Sequence, residues 1–142
     1  MSNVAIIGAG YVGLTTAACL AHIGHNVTCA DIDENKISRL NDGEIPIHEA
    51  RLPELVQEGL SNQLLKFVVG AKRAITASEF VFLCLPTPQG EDGRADIGAV
   101  LDVVEEIRQL VLPQTIIINK STVPIGTIAA IETAIQREDV SV

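Results

Sequence analysis

A glycine-rich turn near the beginning of the chain constrains its fold more than any other feature. Residues 3–7 form an apolar, largely β-branched run, which predicts a parallel strand buried on both faces. Residues 8–13 then read Gly-Ala-Gly-Tyr-Val-Gly. Side chains beyond the turn recur at helical spacing, at Val12, Thr16, Leu20 and Ile23. The glycines therefore lie in a strand-to-helix turn.

Each glycine of this turn has its own predicted role. Gly8 permits the tight turn, Gly10 leaves room for a pyrophosphate beside the backbone, and Gly13 lets the helix pack close to the strand. The N–H groups of Tyr11 and Val12 then point towards the phosphates, and the helix dipole favours their negative charge. An ordinary tight turn is the alternative, so the pattern needs support from elsewhere in the chain.

That support comes from an acid at the end of a second apolar run. Residues 27–30 are followed directly by Asp31, which lies 18 residues beyond Gly13. This spacing is close to the offset of about 20 residues at which a carboxylate accepts hydrogen bonds from the adenosine ribose of a dinucleotide. The same carboxylate would repel the extra phosphate of NADP, so the sequence predicts NAD. Lys36 either reaches the same ribose or is a solvated helix residue.

Length, composition and charge exclude several classes of protein. A chain of 142 residues, 47% of them apolar, suits one domain with a substantial core. Its net charge of −8 argues against a nucleic-acid partner, and no apolar run approaches the roughly 18 residues of a membrane span. Because residues 1–3 lead straight into the first strand without a signal-type segment, we expect a soluble cytoplasmic protein with no membrane partner.

The cysteines and histidines give no sign of metal binding or thiol chemistry. The three cysteines fall in predicted core elements without C-x-x-C spacing, which predicts buried, reduced thiols at Cys19, Cys29 and Cys84. The histidines lack metal-ligand spacing, so no metal site is predicted at His22, His25 or His48.

The remaining chain alternates between helical and strand-like segments. We predict helices at 33–41, 52–60, 96–111 and after Thr127, and strands at 65–69, 80–85 and 115–119. Residues 44–51 are predicted to be an ordered loop, 89–96 a mobile surface loop, and 140–142 the beginning of another strand. This order predicts an α/β fold in one domain spanning 1–142, a Rossmann-type doubly wound, mainly parallel sheet with helices on both faces.

Two polar loops follow strands of this sheet. Strand 80–85 runs into two prolines that flank Thr87, and strand 115–119 runs into a loop that carries Ser121 and Thr122. Ligands of open α/β sheets bind at the carboxyl ends of the strands, so these hydroxyls are well placed for a cofactor. Thr87 is either a partner of a cofactor ribose or simply a turn threonine.

These motifs resemble those of the UDP-glucose/GDP-mannose dehydrogenase family, and the resemblance covers essentially the whole chain. It rests on residues 8–14, on the spacing from Asp31 to Lys36, on Leu-Pro-Thr-Pro at 85–88, and on Lys-Ser-Thr-Val-Pro-Ile-Gly-Thr at 120–127. The resemblance implies an NAD-dependent oxidoreductase that converts the C6 alcohol of a nucleotide sugar to a carboxylate with two NAD. We expect the substrate to be UDP-glucose and the product UDP-glucuronate, a precursor for polysaccharide biosynthesis.

The resemblance also implies roles for individual residues. Tyr11 and Val12 would contact the pyrophosphate, and Asp31 and Lys36 the adenosine ribose. Leu85, Pro86 and Thr87 would line the middle of the cofactor, and Ser121 and Thr122 would approach its nicotinamide end. Thr122 would also help to hold a catalytic water.

Two departures from the family pattern limit what is carried over. Where many relatives have Glu-Pro-Gly-Leu, residues 49–52 read Glu-Ala-Arg-Leu, so neither Glu49 nor Arg51 receives a role. The nucleophilic cysteine, the catalytic lysine and asparagine, and a glutamate of the family have no counterparts here. We therefore expect the amino-terminal part of a longer enzyme, which binds NAD but is inactive alone. The parent is expected to be a homodimer or larger, and the fragment a monomer or weakly associated.

Two alternatives remain at this point. The parent could act on another nucleotide sugar, such as GDP-mannose or a UDP-N-acetylhexosamine, because the substrate-binding part is absent from these residues. The chain could also be a non-catalytic NAD-sensing module.

Overall fold

The computed structural model describes residues 1–90 and 93–142, and Glu91 and Asp92 of the predicted loop 89–96 lie outside the described residues. Each strand of the described chain is followed by a helix, and the second strand is followed by two. The strands are β1 (Asn3–Ile7), β2 (Asn26–Asp31), β3 (Leu65–Val69), β4 (Phe80–Leu83) and β5 (Ile116–Asn119). The helices are α1 (Tyr11–His22), α2 (Glu34–Asn41), α3 (Leu52–Ser61), α4 (Ala71–Ala74), α5 (Gly98–Ile107) and α6 (Thr127–Ile135).

The five strands form one sheet in the order β3-β2-β1-β4-β5, and every pairing between them is parallel. This arrangement confirms the predicted Rossmann-type fold. The chain winds from β1 through β2 to β3 on one side and then returns to place β4 on the other side of β1. The carboxyl ends of β1 and β4 therefore flank the point where the strand order reverses, which is where open α/β sheets bind ligands.

Alternate residues of β1, β2, β3 and β4 contribute to two separate apolar cores. On one face Ile6 and Cys29 pack with side chains of α1, α2 and α3, including Leu14, Leu40 and Val56. On the other face, Ala5 and Ile7 of β1 pack with side chains of helices α4, α5 and α6, such as Ala74, Val104 and Ile131. Burial on both faces explains why β1 is apolar at nearly every position.

The residues whose spacing predicted helix α1 are not the ones that it buries. The residues it buries are small, apart from one leucine: Gly13, Leu14, Ala17, Ala18 and Ala21. Val12 and Ile23, which set the predicted helical spacing, are 42% and 68% exposed. Mostly small side chains therefore lie between this helix and the sheet, and Val12 and Ile23 lie on its outer side.

The prediction that all three cysteines are buried is wrong for one of them. Cys29 and Cys84 are buried as predicted, but Cys19 is exposed, on the outer side of α1. Its exposure has the same cause, because the alanines rather than the larger side chains form the inner face of that helix. All three cysteines are free thiols.

Some predicted boundaries shift in the loops around β4. This strand ends at Leu83, so that Cys84 and Leu85 belong to the following loop. Within the loop predicted at 89–96, Gln89 and Ala95 form an antiparallel bridge. At the other end of the chain, Ser141 forms a parallel bridge with Ile116, as expected of a strand beginning at 140–142. No helix among the described residues is long and apolar enough to cross a membrane.

Ala77 provides a test of backbone strain in this fold. It has φ 61°, a left-handed conformation that is costly for any residue with a Cβ. We expect Ala77→Gly to raise the free energy of unfolding by about 0.5–1 kcal/mol, because relief of strain exceeds the added entropy of the unfolded chain. Ala129→Gly, in α6, makes the same chemical change in a helix and should lower that energy by about 1 kcal/mol. Urea unfolding would measure both, and equal signs would contradict the assignment of strain to Ala77.

Candidate functional site

The residues predicted to bind a cofactor come together at one edge of the sheet. They lie at or just beyond the carboxyl ends of four strands. Beyond β1 are Gly8, Gly10, Tyr11, Val12 and Gly13; at β2 and the following helix are Asp31 and Lys36; beyond β4 are Leu85, Pro86 and Thr87; and beyond β5 are Ser121 and Thr122. Residues separated by more than a hundred positions in sequence therefore share one face of the molecule.

Gly8 and Gly13 are required by the packing of the protein itself. Gly8 has φ 104°, and a Cβ on it would lie 2.4 Å from the carbonyl oxygen of Cys84. A Cβ on Gly13 would lie only 1.8 Å from the carbonyl oxygen of Gly8, so the first turn of α1 rests directly on the end of β1. Both glycines thus perform the roles predicted for them, the tight turn and the close packing of helix on strand.

Gly10 has no such constraint from the protein. Its φ is −80°, which any residue can adopt, and a Cβ built on it would meet nothing within 4 Å. The space beside Gly10 is therefore open, at the beginning of α1. This is the arrangement expected if the missing side chain makes room for a ligand rather than for another part of the chain, and it fits a dinucleotide pyrophosphate.

The beginning of α1 offers backbone donors to that open space. Its first intrahelical hydrogen bond runs from the N–H of Leu14 to the carbonyl of Gly10 at 2.9 Å. The N–H groups of Tyr11, Val12 and Gly13 precede it and have no intrahelical acceptor. Gly10 supplies no side-chain cap, and the first turn carries no acidic residue. These donors and the positive end of the helix dipole favour a bound anion.

Asp31 stands at the end of β2 beside this turn, held by several hydrogen bonds. Its Oδ2 accepts from the N–H of Ala9 at 3.0 Å, and its Oδ1 from the N–H of Asp33 at 3.1 Å. The side chain is only 11% exposed. Burial by itself raises the pKa of the Asp31 carboxyl, but hydrogen bonds from Lys36, Asp33 and Ala9, with the charge of Lys36, outweigh burial and lower that pKa. The carboxylate is therefore ionised at neutral pH.

Lys36 contacts Asp31 rather than extending into solvent. Its Nζ lies 2.8 Å from Oδ2 of Asp31 and donates a hydrogen bond to it. The side chain reaches back from the first turn of α2, whose N-cap Asp33 accepts from the N–H of Lys36 at 3.0 Å. Lys36 is therefore paired with Asp31, and its contact with the ribose stays a prediction.

The loops after β4 and β5 are tied to each other by their hydroxyls. Thr87 Oγ1 donates to the carbonyl oxygen of Thr122 at 2.7 Å, and Ser121 Oγ donates to the carbonyl oxygen of Leu85 at 2.8 Å. Asn119 Nδ2 donates to the carbonyl oxygen of Ser121 at 3.0 Å. The protons of Thr87 and Ser121 are therefore used to hold the loops together, while their oxygens can still accept a hydrogen bond from a cofactor.

No residue of this edge is set up as a thiol nucleophile. Cys84 lies directly beneath the glycine turn, where burial raises its pKa to about 11 and the nearby charge of Lys120 only partly opposes the rise. A thiol in this state carries almost no thiolate at neutral pH. Among the residues that the structure describes, no group of three or more His, Cys, Asp or Glu side chains could hold a metal ion.

Two contacts of the site were missed by sequence reasoning. The N–H of Ala9 binds Asp31, but a backbone donor leaves no signature in residue type. The phenol of Tyr11 donates a hydrogen bond to Glu49, which lies 38 residues away in an irregular segment. Neither hydrophobic periodicity nor a local motif could have brought these residues together.

Comparisons with known proteins agree with this geometry. A model of the UDP-glucose/GDP-mannose dehydrogenase family, NAD binding domain, matches residues 2–142. The UDP-glucose 6-dehydrogenase of Pseudomonas aeruginosa is 41% identical over 134 residues, which covers 94% of this chain and 30% of that enzyme. The chain therefore spans less than a third of the length of this relative.

Solved structures of nucleotide-sugar dehydrogenases also superimpose on this chain. The ternary complex of GDP-mannose dehydrogenase from Pseudomonas aeruginosa superimposes with a TM-score of 0.87 at 32% identity, covering 98% of this chain and 34% of that one. UDP-D-ManNAc dehydrogenase from Pyrococcus horikoshii also gives 0.87, at 26% identity, covering 96% of this chain and 34% of that one.

The different surroundings of Gly10 and Gly13 lead to a direct test of the phosphate site. Gly10→Ala places a methyl group in open space, so we expect the free energy of unfolding to change by less than about 1 kcal/mol. The same methyl group would obstruct the pyrophosphate, and NAD affinity should fall at least about tenfold, or 1.4 kcal/mol. Calorimetric titration and thermal unfolding would measure the two effects.

Gly13→Ala is the matched control for the glycine test. Its Cβ would collide with the carbonyl of Gly8, so it should lower the free energy of unfolding by about 1–3 kcal/mol or more. If Gly10→Ala bound NAD as tightly as the wild type, the open space beside Gly10 would not be the phosphate site.

Proposed function

This chain belongs to the UDP-glucose/GDP-mannose dehydrogenase family, and we propose that its NAD-binding domain serves an enzyme that oxidises UDP-glucose to UDP-glucuronate. The observation that carries the cofactor assignment is the open space beside Gly10, with an ionised Asp31 on the neighbouring strand. The substrate assignment is supported by identity to the Pseudomonas UDP-glucose 6-dehydrogenase over most of the chain.

The adenosine half of NAD would be held by backbone and carboxylate groups. The N–H groups of Tyr11 and Val12 would bind the pyrophosphate at the beginning of α1. The Asp31 carboxylate, already oriented by Ala9 and Lys36, would accept hydrogen bonds from the ribose hydroxyls. Orientation in advance lowers the entropy lost on binding, since the acceptor need not be reordered.

Residues beyond β4 and β5 would line the rest of the cofactor. Leu85, Pro86 and Thr87 would face its middle, and Ser121 and Thr122 its nicotinamide end. When bound, NAD supplies the hydride acceptor for oxidation of the sugar alcohol. The hydrogen bond from Thr87 to the carbonyl of Thr122 fixes one loop against the other, so Thr122 presents its hydroxyl from a held backbone. That hydroxyl would help to hold the catalytic water.

Oxidation to the carboxylate needs groups beyond those of this edge. A thiolate must form the thioester and a general base must activate water for its hydrolysis. Cys84 is unsuited to the first task because its pKa is raised to about 11. The proposal therefore assigns both groups to a substrate domain in the part of the relatives that these residues do not span, and treats 1–142 as the cofactor domain, inactive alone.

A different nucleotide sugar is the second candidate. A GDP-mannose dehydrogenase and a UDP-D-ManNAc dehydrogenase each superimpose on this chain with the same TM-score, 0.87. The residues at this edge are those proposed to bind the cofactor, and the choice of nucleotide sugar is assigned to the substrate domain. The ratio of kcat/KM for UDP-glucose, GDP-mannose and UDP-N-acetylmannosamine, measured on the whole enzyme, would decide between them.

We also propose that the parent enzyme is cytoplasmic and assembles as a homodimer or larger oligomer through its remaining domains. The three free cysteines, two of them buried, are typical of a reducing compartment.

The preference for NAD over NADP tests the role of Asp31. The wild type should bind NAD much more tightly than NADP, because the carboxylate binds the ribose hydroxyls and repels an added phosphate. Asp31→Ala should lower NAD affinity by about 10–100-fold, the range for hydrogen bonds to a charged group. The variant should also show a smaller difference between its affinities for NAD and NADP, because Lys36 then loses its partner and can attract the extra phosphate. Fluorescence titration with both cofactors would measure these affinities.

Lys36→Ala separates the contributions at this ribose site. Without the lysine, Asp31 keeps its backbone donors and its charge, so discrimination against NADP should be kept or increased. Equal affinity of the wild type for NAD and NADP would contradict the assignment, as would an unchanged NAD affinity of the Asp31→Ala variant.

A further inference from the structure

The side chain of Tyr11 is tied to a segment that received no role from the sequence. Its phenol donates a hydrogen bond to the Glu49 carboxylate. Tyr11 is the first residue of α1, and Glu49 lies in the irregular segment 43–51 between α2 and α3. The contact joins the proposed phosphate-binding turn to a part of the chain far away in sequence.

Glu49 is held in place by the backbone on both sides of it. Before it, Ile45 and Ile47 are partly buried against the core on the α1 face of the sheet. After it, the N–H of Leu52 donates to the carbonyl of Glu49 at 3.2 Å, and Leu52 is itself buried at the beginning of α3. The carboxylate is therefore presented from an anchored segment, although the segment is neither helix nor strand.

Tyr11 has few other restraints. Its side chain is 56% exposed, so packing alone leaves it rotational freedom. The Glu49 hydrogen bond, then the charge of Glu49 and then burial raise the pKa of the Tyr11 phenol, which keeps it protonated as a donor. Glu49 supplies a hydrogen bond that orients the phenol beside the turn.

We propose that Glu49 is a positioning residue for the cofactor, which fixes the Tyr11 side chain beside the phosphate-binding turn before NAD arrives. The inference rests on the proposed function of that turn. The ordering of one mobile side chain on binding corresponds to roughly a two- to tenfold loss of affinity. If Glu49 meets this cost in the free protein, its loss weakens NAD binding by that factor.

The opposite sign is expected if the charge of Glu49 dominates. A carboxylate near a pyrophosphate repels it, so removal of the charge would strengthen NAD binding. A purely structural contact would give a third result, in which stability falls and the affinity of the folded protein for NAD does not change. The direction of the change in affinity therefore distinguishes the three roles.

The experiment measures NAD dissociation constants and thermal unfolding for variants of the 142-residue chain. Tyr11→Phe and Glu49→Ala should each weaken NAD binding about two- to tenfold, and the double variant should be no weaker than the weaker single variant. Glu49→Gln should keep most of the wild-type affinity, because its amide oxygen still accepts from the phenol. Tyr11→Phe keeps the ring, so it tests the contact even if Glu49→Ala unfolds the segment.

Glu44→Ala is the matched control within the same segment. Glu44 is exposed and pairs with Arg39 at 2.8 Å, so the variant removes the same charge without touching Tyr11. Its affinity for NAD should stay within about twofold of the wild type, as expected of a surface ion pair. A similar loss in Glu44→Ala, tighter binding by Glu49→Ala, additive single variants or unchanged affinities would each overturn the positioning role.

Failure of this inference and failure of the proposed site give different results. If the wild type binds NAD and Gly10→Ala abolishes binding while Glu49→Ala does not affect it, the site stands and the role of Glu49 is overturned. If the wild type does not bind NAD, or Gly10→Ala has no effect, the proposed site fails and the role of Glu49 fails with it.

Discussion

The contact between the first turn of α1 and the end of β1 is the constraint on which the rest of the structure depends. A Cβ on Gly13 would lie 1.8 Å from the carbonyl oxygen of Gly8, so helix and strand meet without a side chain between them. The same closeness explains the alanines on the inner face of α1. It also places the free N–H groups of the helix at the edge of the sheet where the strand order reverses. The same contact therefore packs the helix on the sheet and forms the proposed phosphate site.

The site reconciles an acidic protein with an anionic ligand. The chain carries a net charge of −8, and residues 8–13 of the turn include no basic side chain. Attraction for phosphate would come from oriented backbone dipoles, which act only at short range. Asp31 lies nearby without cancelling this attraction, because Lys36 and two backbone N–H groups compensate its charge. Its carboxylate can then distinguish a ribose hydroxyl from a ribose phosphate.

The sequence predicted the parts of this design that rest on local rules. The strand-to-helix turn, the end of β2 at Asp31 and the parallel sheet all follow from periodicity, glycine spacing and turn chemistry. The buried face of α1 could not be predicted this way, since hydrophobicity favours large side chains where close packing demanded small ones. Tertiary contacts were also inaccessible, above all the hydroxyl bonds between the loops at Thr87 and Ser121 and the contact of Tyr11 with Glu49. These contacts join distant segments, and no local pattern records them.

The most direct test of the central claim is a map of backbone amide shifts during titration with NAD. At 142 residues the chain is small enough for ¹⁵N-labelled NMR spectra in solution. We predict saturable shifts that are largest at the N–H groups of Tyr11 and Val12 and extend to Ala9 and Asp33 around the Asp31 carboxylate. Shifts confined to the opposite edge of the sheet, or an absence of saturable shifts, would contradict it.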